Sequence, residues 1–101
     1  MTEKEKIKKV ANIAAWVLML NEKTDETGIS YNFYIDGAVI NETVNVMKFF
    51  PAEICGEKIR DNECYCVRYE NDDGILKLEE FIKKEAKGLE EIKNEQDGGT
   101  A

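Results

Sequence analysis

The residues best suited to chemistry in this 101-residue chain are three cysteines, Cys55, Cys64 and Cys66, spaced Cys-x8-Cys-x-Cys. Thiolates are strong, soft ligands, so a cysteine-based metal or redox protein is one reading of the pattern. Structural zinc wants four ligands, and the chain contains no histidine to complete a set. A thioredoxin-type redox pair wants Cys-x-x-Cys. On a strand, Cys64 and Cys66 share a face with their side chains well apart, which strains a disulfide between them. Cysteine is also among the most buried residue types. The expectation is therefore three free thiols packed as small hydrophobes, with no metal and no cofactor.

Carboxylates are the second candidate chemistry. Asp25-Glu26, Asp61 with Glu63, and Asp72-Asp73 place acids side by side or on one face. None has the alternating oxygens, central glycine and terminal glutamate of a calcium loop. A glycosidase-like pair needs a cleft that so short a chain rarely builds. There is no Gly-rich phosphate loop, no Gly-x-Ser-x-Gly and no zinc-helix motif. Without histidine the commonest general base is missing too. The chain is expected not to be an enzyme, and its acids to form a solvated surface.

The distribution of charge then carries the functional expectation. Net charge is −7. Residues 1–21 set four lysines against Glu3 and Glu5, whereas residues 22–73 set twelve acids against five bases. A negative field of this kind steers association with basic surfaces. Such surfaces belong most often to proteins that handle nucleic acid. The expected function is a small acidic, non-catalytic protein-interaction module, by analogy a phage or mobile-element inhibitor or regulator of a basic protein such as a nuclease. Its partner would be a protein with a basic surface, with no nucleic acid bound directly and no membrane. The partner-binding residues would be Asp25, Glu26, Asp61, Glu63, Glu70, Asp72 and Asp73. An odd cysteine count without a secretory signal leads to the expectation of a reducing compartment, the cytoplasm.

A third reading comes from four tyrosines, Tyr31, Tyr34, Tyr65 and Tyr69, on predicted strands, since rings on a sheet can stack bases. The run Lys83-Lys84-Glu85-Ala86-Lys87 resembles the lysine motif of double-stranded-RNA-binding domains, whose element order this chain shares. The resemblance covers five residues and implies phosphate contacts from those lysines. In that family the lysines open the second helix, whereas here they fall in its second half, and the family's histidine-bearing loop is missing. An acidic chain also lacks the positive charge that phosphate binding requires.

These residues must be positioned by few elements. Thr2 to Glu5 has the form of a capping box. Ile7, Val10, Ala11, Ala14, Val17 and Leu18 then recur at helical spacing, predicting a helix over 3–21. A second row, Ile13, Trp16 and Leu20, widens the apolar stripe. That suggests a helix buried on two sides, or a homodimer through its Trp16 face. A polar loop over 21–28 precedes an alternating strand over 29–35. Asp36-Gly37 is a favoured two-residue hairpin turn, which would set Phe33 against Ile40 and Ile35 against Ala38. The return strand would end at Phe49-Phe50-Pro51 because proline lacks a ladder N–H. Residues 51–62 read as irregular with one helical turn, and 63–70 as a third strand. Asp72 or Asp73 would cap a last helix with Ile75, Leu78, Phe81, Ile82, Leu89 and Ile92 on its stripe. The sum is one α+β domain over 1–95 in the order α-β-β-β-α, a three-stranded antiparallel sheet with both helices packed on it, and a disordered tail over 96–101.

Overall fold

The structure, a computed structural model, describes residues 1–37 and 42–98, the side chains of 91–98 excepted. A helix α1 (Glu3–Asn21) and a single turn α2 (Thr24–Thr27) lead into strands β1 (Ser30–Asp36), β2 (Thr43–Ile54) and β3 (Glu57–Arg68), followed by a long helix α3 (Asp72–Gly98). The strands form one antiparallel sheet in the order β1-β2-β3. The expected α-β-β-β-α order is therefore found. No helix among the described residues is long and apolar enough to cross a membrane. Residues 99–101 and 38–41 lie outside the description, and α3 continues past residue 95, where the tail was expected to begin.

Local chemistry accounts for most boundaries. Thr2 caps α1, its hydroxyl accepting from the Glu5 N–H at 3.2 Å. At the start of α3 the cap is Asn71 and neither of the aspartates: its side-chain oxygen accepts from the Gly74 N–H at 3.0 Å. Asn21, at the end of α1, bonds both the N–H and the carbonyl of Tyr31 at 2.7 Å, tying the helix to β1. The α1 face that enters the core is Val10, Ile13, Val17 and Leu20, which merges parts of the two predicted rows. They meet Tyr31, Val44 and Val46 from the sheet and Ile75, Leu78, Ile82 and Leu89 from α3. Trp16 packs only partly against this cluster.

The sheet departs from the sequence reading at three points. Phe33 pairs with Val46 and Ile35 with Val44, so Asp36-Gly37 opens a longer connection and is not a two-residue hairpin turn. That tight turn lies instead at Cys55-Gly56, between Ile54 and Glu57, with φ of 52° and 82°. Two successive positive φ values match the twist of a hairpin, which is why the glycine is there. Residues 51–62, expected to be irregular, are thus the end of β2, this turn and the start of β3.

Pro51 explains the third departure. It does not end β2, for it pairs with Arg60 on β3. What it ends is the pairing of β2 with β1, whose last partners are Ser30 and Phe49. Hydrogen-bonded pairs alternate along an antiparallel ladder, and a two-residue turn makes Ile54–Glu57 one of them. Counting back, the Pro51 nitrogen points away from β3, to the side that β1 has left. There the missing N–H costs nothing. Gly28 lies alongside, where an added Cβ would sit 3.6 Å from the proline ring.

Candidate protein-interaction site

Both helices lie against one face of the sheet. Tyr31, Val44, Val46, Tyr65 and Val67 point toward them, and by alternation so do Lys48, Glu63 and Asp61. The other face carries Tyr34, Met47, Phe49, Cys64 and Cys66 and, among the described residues, no helix. All three cysteines are free and exposed, so the expected packing as small hydrophobes is overturned. For Cys64 and Cys66 the physical reason is the uncovered face; for Cys55 it is the turn. Among the described residues no three Cys, Asp or Glu side chains converge as a metal ion would need.

β3 is an edge strand, and α3 runs beside it. Between them lies a groove of about 480 Å3 lined by Cys64, Tyr65, Cys66, Val67, Gly74, Lys77, Leu78 and Phe81. Its floor is apolar. The Tyr65 and Phe81 rings stack with centroids 4.0 Å apart. Gly74 keeps the far end open, because a Cβ there would come within 3.3 Å of the Val67 Cβ and 3.0 Å of the Asn71 amide. The ladder alternation leaves the backbone groups of Lys58, Arg60, Asn62, Cys64, Cys66 and Arg68 directed outward. Asp61 already takes the Asn62 N–H at 2.8 Å, and the Arg68 carbonyl accepts from Asn71 at 2.9 Å. Charged side chains occupy the distal part of this edge, the usual guard against unwanted pairing. Cys64 to Val67, the stretch that borders the groove, has none.

The predicted acidic residues are divided by the fold. Asp61 and Glu63 share the groove-side face of β3 with Tyr65 and Val67. Glu70, Asp72 and Asp73 lie at the other end, around the β3–α3 junction. Acids thus flank both ends of the apolar floor. Asp72 is already engaged, 2.8 Å from the Met1 ammonium and 3.2 Å from Lys6, contacts that hold its carboxyl below the usual range. Glu70 has Arg68 at 3.6 Å with both side chains largely exposed, a weak tether. Glu63 accepts from the Tyr65 hydroxyl at 2.5 Å, and that bond, with burial second, pushes the phenol up to about 12. Asp25 and Glu26 sit apart, on α2, which leans on the distal half of α3 through Lys23 and Glu90. From Asp72 to Glu90 is about 27 Å of helix, so one small contact cannot use both groups.

The lysine run 83–87 lies mid-helix. Its Glu85 points inward, accepting from the Tyr31 hydroxyl at 2.7 Å and from Lys48 at 2.9 Å, and Lys83 leans on buried Glu79 at 3.4 Å. Burial, then Glu85, drive the Tyr31 phenol strongly upward, so it serves as a donor that fixes α3 on the sheet. Leu78, Phe81 and Lys77 were not among the expected site residues. The first two read as plain core from their helical spacing. The signal available was topological: in an α-β-β-β-α meander the third strand must be an edge.

The chain matches no protein-family model, no curated protein and no solved structure.

Proposed function

We propose that this chain is a non-catalytic cytoplasmic protein-interaction module that takes an extended segment of a basic partner onto the free edge of β3. The observation that carries the reading is the coincidence of an unguarded strand edge, Cys64 to Val67, with an apolar groove whose two ends are acidic. Strand addition supplies main-chain hydrogen bonds, while the groove selects alternate side chains. The segment that fits has apolar residues over Tyr65, Val67 and Phe81 and Lys or Arg at its ends, facing Asp61 and Glu63 on one side and Glu70 and Asp73 on the other. At the finer level the partner belongs to the nucleic-acid-handling proteins, whose surfaces are basic, and the module acts as an inhibitor or regulator of one. Proximity of such a negative edge to a basic cleft would compete with phosphate.

The test is calorimetric titration of the full chain with a ten-residue peptide alternating valine and serine between two lysines at each end. The expected result is saturable binding that weakens as salt rises. The pair Asp61→Lys and Glu63→Lys should weaken it about tenfold, and Phe81→Ala by a similar factor, with the far-ultraviolet spectrum unchanged. Equal binding by these variants, or preference for an RNA duplex over the peptide, would reject the reading.

A further inference from the structure

Helix α1 carries a second apolar stripe that the core does not use. Ile7, Ala11, Ala14 and Leu18 recur at intervals of four, three and four residues, the seven-residue repeat of a helix that meets another helix. On a helical wheel this stripe is turned about 120° from the Val10, Ile13, Val17 and Leu20 face. Leu18 is 71% exposed and Ile7 55%. Two large aliphatic side chains so exposed, separated by alanines that let another backbone approach closely, mark a contact surface more than a solvated face. Trp16, by contrast, lies on the other side of the helix and is partly packed.

We infer that a second copy of this chain covers the stripe, with the two α1 helices antiparallel. Charge and symmetry choose the orientation. Lys4 and Lys8 lie beside the stripe at the N-terminal end of α1, and Glu22 lies on the same side just past its C-terminal end. These three exposed residues form no ion pair among the described residues. In a single copy Lys4, in the first turn, and Glu22, at the C-terminal cap, also sit at the unfavourable ends of the helix dipole. A two-fold axis between Ala11 and Ala14 brings Ile7 of one copy over Leu18 of the second and stacks the alanines at the centre. It also sets Lys4 beside the second copy's Glu22, and the reverse. A parallel pair would place lysines against lysines. The stripe runs about 16 Å, shorter than the contact of a tight dimer, so dissociation on the order of 10–100 µM is expected.

The experiment is sedimentation equilibrium of the full chain over a wide concentration range, with reductant present so that the exposed thiols cannot cross-link. A monomer–dimer equilibrium is expected. Leu18→Glu should weaken it at least about 100-fold, since the axis introduces the change twice. Lys4→Glu or Glu22→Lys alone should weaken it about three- to tenfold, and the two together should restore it. None of these positions belongs to the core, and far-ultraviolet spectra should confirm that each variant is folded. A monomer up to roughly 1 mM, a dimer indifferent to Leu18→Glu, or a double charge exchange that fails to restore affinity would each overturn the inference. Strand-to-strand pairing through β3 would appear as the second of these.

Discussion

The β2–β3 hairpin is built in two regimes. Where β1 pairs with it, from Thr43 to Phe49, its inner face meets two helices and Val44 and Val46 are fully buried. Beyond Ser30, residues 50–61 continue as a two-stranded arm with Ile54 58% exposed at its tip. One region is held chiefly by burial, the other chiefly by its backbone ladder, with Arg60 reaching back to the Ser30 hydroxyl and over the Phe49 ring. A two-stranded ribbon is marginally stable in water without such cover. The same strand therefore passes from the most to the least stable part of the fold, and the proposed site, Cys64 to Val67 opposite Met47 to Val44, lies in the firm part with its Asp61 and Glu63 end at the boundary.

Core truncation should separate the regions most sharply. Ile75→Ala or Ile13→Ala, both at fully buried positions, should lower the unfolding free energy by about 2–5 kcal/mol. Ile54→Ala should cost less than about 0.5 kcal/mol. Urea denaturation reads both, and similar losses would break the distinction. Next in size is the behaviour in alkali. The hydroxyls of Tyr65 and Tyr69 are pushed up to about 12, chiefly by hydrogen bonds to Glu63 and Glu3. A folded-state value raised above the unfolded one gives stability that is complete below pH 10 and lost as pH rises toward 12. Phenolate absorbance should accordingly lag that of the urea-unfolded chain, and coincident titrations would count against these bonds.

Acid acts with the opposite sign on the helix layer. Glu79 on α3 is only 4% exposed; burial opposes its charge, but Lys9 at 2.9 Å and Lys83 at 3.4 Å together hold its carboxyl below the ordinary value. Its contribution is present above the unfolded carboxylate value and disappears as pH falls through the folded one. Lys9→Met should move the acid midpoint of unfolding upward, and an unchanged midpoint would show the bridge to be idle. The smallest effects belong to glycines. Gly88→Ala, in mid-helix with nothing within 4 Å of the added Cβ, should stabilise by about 0.5–1 kcal/mol. Gly56→Ala, at a φ of 82° in the arm turn, should speed amide exchange in the arm while shifting global unfolding by about 1 kcal/mol or less. A large global loss there would join arm and core into one cooperative unit.

The same contrast explains what could be read in the sequence. Helix spacing, the Thr2 cap and the strand alternation of Tyr65, Val67 and Tyr69 are local signals, and the element order followed from them. Non-local pairing was hidden. Asp36-Gly37 has the better turn chemistry, yet the tight turn formed at Cys55-Gly56, because register is set by which residues must enter the core. Pro51 was read as a strand terminator when it terminates only one of two pairings. The cysteines followed their burial tendency in expectation but not in fact, since nothing in a single strand says which face a helix will cover. The acidic residues were visible one by one. That Asp61 and Glu63 flank an apolar groove while Asp25 and Glu26 lie far off required the path of α3.

Whether the outer edge of β3 accepts another strand is tested most directly by amide hydrogen exchange of the full chain, measured residue by residue with and without the lysine-ended peptide. The expected result is new protection at Cys64 and Cys66, weaker protection at Lys58 and Arg60, and none added on α1 or α2. Protection confined to the helices, or no change along β3 under saturating peptide, would contradict strand addition at that edge.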